Sequence, residues 1–132
     1  MSDSKNTSKS AEKRFKMQGS VNFSENGSTL TARIACDVDH HAAKPLREEI
    51  DRVMTERMPQ VLVLDFSEVG FMDSSGLGLI LGRCESAGKI GASVRLEGVS
   101  EGMMKLIRLS GVERIKNITV APASSSDGNR KV

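Results

Sequence analysis

The chain has 132 residues and a mass of 14.3 kDa, is 38% hydrophobic and 27% charged, and carries a net charge of +2 with four Phe and no Trp or Tyr. That length suits one domain with its own core and excludes both a disulfide-stapled mini-protein and a two-domain enzyme. Charge placement excludes a nucleic-acid surface, since Lys5, Lys9, Lys13, Arg14 and Lys16 crowd the N-terminal segment while the body is slightly acidic, and so few aromatics offer bases no stacking platform.

In chain order, residues 1–16 read as a disordered basic tail, 17–120 as the folded domain and 121–132, with its run of Ser124, Ser125 and Ser126, as a second disordered tail. The first folded element is a hairpin. Met17 to Ser24 forms one strand, Asn26-Gly27 supplies the turn, and Leu30, Ala32, Ile34 and Cys36 alternate with polar or small residues along the next strand. Asp39 follows as an N-cap for a helix over residues 41–58, with Leu46, Ile50, Val53 and Met54 on one face, Pro45 in the first turn and Pro59 as the stop. The unbroken run Val61-Leu62-Val63-Leu64 predicts a strand covered on both faces.

A second helix is expected from Ser75 to about Gly88, a strand over residues 92–96, a helix over 101–109 ended by Gly111, and a last strand over 115–120. Strands alternating with helices imply crossover connections. The predicted class is therefore α/β: a single domain with a mostly parallel, mixed sheet of four to five strands, an N-terminal β-hairpin and three or more helices. Cys36 and Cys84 lie far apart inside apolar patterns, which suits a reducing compartment. The longest apolar runs fall far short of the ~20 residues a membrane helix needs, so a soluble cytoplasmic protein is expected.

The segment Phe71-Met72-Asp73-Ser74-Ser75-Gly76-Leu77-Gly78-Leu79-Ile80-Leu81-Gly82-Arg83 is the most informative. At 100° per residue, Leu77, Ile80, Leu81 and Cys84 share a core stripe, leaving Ser75, Gly78, Leu79, Gly82 and Ser86 on the opposite face. That face is a nearly bare groove with one leucine standing in it. Gly82 in a helix interior costs about 1 kcal/mol relative to Ala, so the glycines ask for a reason. Either a partner lies close against them, or another segment of the same chain does.

Ser74 and Ser75 stand at the helix start, where a hydroxyl serves as a cap, and where the partial positive charge of the helix N-terminus also favours a phosphate on a nearby serine. Ser74 beside Asp73 is thus a candidate phosphorylation site. Catalytic patterns fit less well. The glycines miss the dinucleotide-binding spacing, no lysine follows them, and Met72 occupies the place where a hydrolase elbow needs glycine. His40 and His41 near a helix start are read as surface residues, so no catalytic residue, metal or cofactor is expected.

The segment from Phe71 to Arg83 resembles the phosphorylation-site segment of the STAS-domain family of anti-sigma factor antagonists, most closely its sporulation-type members. Asp37-Val38-Asp39-His40-His41-Ala42 resembles a second stretch of that family, and Leu109-Ser110-Gly111-Val112 resembles the end of its third helix. The resemblance covers about residues 17 to 118. It implies a protein that, unphosphorylated, binds an anti-sigma factor which is also a serine kinase of the GHKL fold, so that the sigma factor is released for transcription.

By the same resemblance the kinase phosphorylates Ser74 and ends the interaction, and a PP2C-type phosphatase restores it. Asp39, His40, Asp73, Ser75, Gly78, Leu79 and Gly82 would then be partner-binding residues. The chain departs from the family in its basic N-terminal extension and in running from its last strand into Ala121-Pro122-Ala123 rather than a closing helix. An alternative use of the same fold is a STAS signalling module that senses a nucleotide or scaffolds other signalling domains. A small serine-dependent hydrolase is a third reading.

Overall fold

The structure, a computed structural model, describes residues 13–18 and 20–122. In chain order it comprises β1 (Lys13–Gln18), β2 (Val21–Asn26), β3 (Thr29–Ile34), α1 (His40–Arg57), β4 (Val61–Asp65), α2 (Ser74–Lys89), β5 (Ser93–Val99), α3 (Glu101–Ser110), a 3-10 turn (Val112–Arg114) and β6 (Ile118–Pro122). The strands lie in the sheet in the order in which they occur in the chain. β1, β2 and β3 are antiparallel neighbours, and β3 to β6 run parallel.

The α/β class with a mixed sheet and an N-terminal hairpin is as expected from the sequence, with one strand more than the four to five anticipated. The extra strand is β1, whose first residues, Lys13 to Lys16, fall inside the segment expected to be a disordered tail. At the other end β6 takes in Ala121 and Pro122. The rest of both expected tails, residues 1–12 and 123–132, lies outside the described residues.

Alternation sets the hairpin register. Leu30, Ala32 and Ile34 are buried, and Ala32 and Ile34 pair across the ladder with buried Phe23 and Val21. A one-residue slip would turn this whole set to solvent. Gly27 takes φ +63° in the two-residue loop, the left-handed conformation that a mirror-image hairpin turn requires to match strand twist.

From β3 onward each strand is followed by a helix and then by the next strand outward. Right-handed crossovers that always step in one direction deposit every helix on the same face of the sheet. That face carries Leu30, Leu62, Leu64, Val94 and Leu96, all buried. The other face carries Thr29, Thr31, Arg33, Asp65, Arg95 and Glu97, with ion pairs Arg33–Asp65 at 3.3 Å and Arg95–Glu97 at 3.0 Å.

Among the described residues the β4 run is therefore covered by helices on one side only, not on both as its apolarity suggested. Val63, on the polar face, is still only 4% exposed, flanked in register by Thr31 and Arg95. Its burial comes from neighbouring side chains and the aliphatic stem of arginine, with no second helical layer among the described residues.

The helix ends follow local chemistry. α1 closes at Met58, left-handed at φ 49°, whose N–H donates to the Met54 carbonyl at 2.8 Å before Pro59. Pro45 sits at the sixth helical position, beyond the first turn where it was expected, so the ladder loses the donor that would reach the His41 carbonyl. α3 starts on the Ser100 hydroxyl, which accepts from the Met103 N–H, and ends at left-handed Gly111. β6 begins later than expected because Ile115 to Asn117 still close the preceding turn, with the Ile118 N–H donating to the Ile115 carbonyl at 3.3 Å. No helix among the described residues is long and apolar enough to cross a membrane.

Candidate functional site

Beyond the ends of β3 and β4 the two segments touch once more. The Val38 N–H donates to the Phe71 carbonyl at 2.9 Å, and the Asp73 N–H donates to the Val38 carbonyl at 3.3 Å. This short parallel bridge sets Asp39 beside Asp73, and so brings the heads of α1 and α2 together. Both aspartates are extended, at φ −111° and −110°, the backbone state of an N-cap.

The Asp39 carboxylate accepts from the His41 and Ala42 N–H groups, each at 3.0 Å. The bond from Ala42 is the chief reason that this carboxyl lies below its ordinary range; partial desolvation opposes the shift, while the His41 N–H and ring charge support it. Asp73 accepts from the Ser75 N–H at 2.8 Å. Asp73, and neither of the serines, is thus the cap of α2. Ser74 becomes the first helical residue and is exposed, whereas Ser75 is half-buried. His40 is also exposed, with its ring edge-on to that of His41 at 5.8 Å.

The inward stripe of α2 is Gly76, Leu79, Ile80, Arg83, Cys84 and Ala87. This corrects the helical wheel drawn from sequence. Leu79, expected to stand in the groove as a partner contact, is 3% exposed and belongs to the core, while Leu81, assigned to the core stripe, is 44% exposed. Two contacts rotate the helix. Gly76 lies so close to Met72 that a Cβ there would overlap the Met72 side chain, and Arg83 turns inward to meet Asp51 of α1 at 2.8 Å. A wheel weighted by leucines and facing charge outward misses both. Burial also pushes the Cys84 thiol up to about 11.

The outward face therefore presents Ser74, Gly78, Leu81 and Glu85, flanked by Gly82. A Cβ added to Gly78 or Gly82 would meet nothing within 4 Å, so no other described segment packs on either glycine. Phe71, 53% exposed, stands just before the capping aspartate. Asp39, His40, Asp73, Ser74, Ser75, Gly78 and Gly82 are thus gathered at one end of the sheet and along one helix face, and Leu79 alone among the expected residues is withdrawn from it. Phe71 and Leu81 are exposed apolar side chains beside these residues that sequence reasoning did not assign. Phe71 lay in the motif segment, but a single aromatic outside any periodic pattern carries no burial signal.

The domain family described as STAS domain matches residues 20–124. An anti-sigma F factor antagonist of Paenibacillus polymyxa is 30% identical over 98 residues, covering 74% of this chain and 84% of the relative. An anti-sigma-B factor antagonist of Bacillus subtilis (strain 168) is 30% identical over 103 residues, covering 78% of this chain and 93% of the relative. Among solved structures, that of the Bacillus cell fate determinant SpoIIAA in its phosphorylated form is similar with a TM-score of 0.59 and 26% identity, covering 76% of this chain and 90% of that one.

Proposed function

Because the chain belongs to the STAS-domain family, with relatives named as anti-sigma factor antagonists, we propose that it is a regulatory binding module of that kind, switched by phosphorylation of Ser74. Unphosphorylated, it binds an anti-sigma factor that is also a serine kinase of the GHKL fold, and so releases the sigma factor. The kinase ends the interaction by phosphorylating Ser74, and a PP2C-type phosphatase restores the binding form. The observation that carries this reading is an exposed Ser74, free of capping duty, at the head of a helix face left open at Gly78 and Gly82.

Charge and surface explain the switch. Close approach over the glycines lets a partner bury Leu81 and Phe71, the type of apolar anchor that dominates interface energetics. A phosphoryl group adds about −1.5 to −2 charge beside Asp73. Against a partner carboxylate ~4 Å away at an effective dielectric of ~20, each unit of charge contributes ~4 kcal/mol of repulsion. Reversing a 99:1 equilibrium takes ~5.5 kcal/mol, so a single modification is of the required size. Phosphate at a helix N-terminus is compatible with α2 itself, and the switch needs no refolding.

Incubation with ATP and the cognate kinase should add about 80 Da, one phosphoryl group, mapped to Ser74. Ser74→Ala should remain bound to the kinase and Ser74→Asp should bind poorly. Equal affinity of both variants, or modification at a different residue, would overturn the assignment.

A further inference from the structure

Arg83 is the most deeply buried charged group described, its side chain 4% exposed, yet it lies midway along α2 and its partner Asp51, on α1, is 36% exposed. The Nε to Oδ1 distance is 2.8 Å, and Nη1 also approaches the Leu79 carbonyl at 3.4 Å. Removing an arginine from water is costly, and a buried ion pair contributes little net stability compared with apolar side chains of similar volume. Arg47 lies near enough to oppose the Arg83 charge further. A pair that adds little to stability calls for another role.

Geometry supplies one. Both helices start at the Val38–Met72 bridge and run back along the sheet, so they are held at their heads by two backbone hydrogen bonds. Arg83 lies nine residues beyond Ser74, ~14 Å along α2, and Asp51 eleven residues beyond His40, ~17 Å along α1. The buried side chains of both helices share one core, which resists their separation but tolerates small sliding, and a charged contact this far down adds a directional restraint on crossing angle and slide that the bridge does not supply.

We propose that Arg83 and Asp51 are a positioning pair that fixes α2 against α1, and so sets the placement of Ser74 and the open face of α2 relative to Asp39 and His40. The inference rests on the docking reading given above. The two parts of that surface come from different helices, so a partner that contacts both reads their relative placement. Docking affinity is the quantity that depends on it. The rate of phosphoryl transfer, once Ser74 is engaged, is not.

Arg83→Met preserves most of the volume, and Asp51→Asn, near solvent, preserves the shape, so either variant can report if the other fails to fold. Two readouts decide. In the free protein, the amides of Val38 and Asp73 should exchange with solvent several-fold faster, because a restraint far from the bridge is lost, while Tm changes little in Arg83→Met. With the kinase, KM for Ser74 phosphorylation should rise about tenfold at unchanged kcat.

Unchanged exchange together with unchanged KM in a folded variant would overturn the positioning role. So would a fall in kcat and kcat/KM that simply tracks loss of folded protein. If wild-type protein is not phosphorylated at Ser74 at all, the functional reading fails, and the exchange measurement still decides whether the pair fixes the helices.

Discussion

Residue by residue, α2 separates groups that hold the fold from groups that face open space. Gly78 and Gly82 face open space, so Ala at either position removes the entropic penalty of a helical glycine and should stabilise the protein by up to about 1 kcal/mol. The same methyl group keeps a partner at a distance. Gly78→Ala and Gly82→Ala should therefore raise Tm while weakening kinase binding, a combination that thermal melting and binding titrations will show directly. Phe71→Ala and Leu81→Ala should leave Tm nearly unchanged and weaken binding about tenfold or more. Leu79→Ala should do the opposite, losing about 2–5 kcal/mol of stability through a core cavity.

The Asp39 carboxylate acts through pH. Hydrogen bonds to the ionised form depress the Asp39 pKa, so its stabilising contribution is complete at neutral pH and is lost as the pH falls below its ordinary 3.8 and through the folded value. Acid unfolding of Asp39→Asn should show a weaker pH dependence in that range than wild type. The Cys84 thiol, at about 11, stays protonated near neutrality and is buried, so native-state alkylation should spare it until the protein unfolds.

At the level of the elements, Gly76 shows how a helix is seated. Its Cβ position is occupied by Met72, so Gly76→Ala must displace that side chain and should cost about 1–3 kcal/mol, measurable by denaturant unfolding. This close contact also explains what the sequence could and could not reveal. The period-two pattern of β3, the apolar stripe of α1 and the stop at Pro59 were legible because each follows from local periodicity or backbone chemistry. The head of α2 was legible as a motif, since Asp73, Ser74 and the glycines are adjacent in the chain.

Its rotation was not, because that depends on Met72 below Gly76 and on Asp51 of another helix drawing Arg83 inward. β1 was missed for a related reason. Its basic residues look like a tail, and only pairing with β2 makes them a strand. The Asn117 side chain, donating to the Cys84 and Ala92 carbonyls at 3.0 and 3.2 Å, likewise joins α2 and the entries to β5 and β6, which are separate in sequence.

For the molecule as a whole, the strand order has a consequence for how the protein is made. Because each strand pairs with the one before it, no slot in the sheet waits for a segment not yet synthesised. When α2 emerges from the ribosome, β2, β3, α1 and β4 have already been synthesised, and with them the Val38 carbonyl that receives the Asp73 N–H. Ser74 thus enters a cradle formed upstream, while β5 follows to complete the surface on which the rest of α2 packs and β6 takes the outer edge. Truncation of β6 alone should erode an edge before it disturbs the serine's setting, so birth order along the polypeptide doubles as an order of protection.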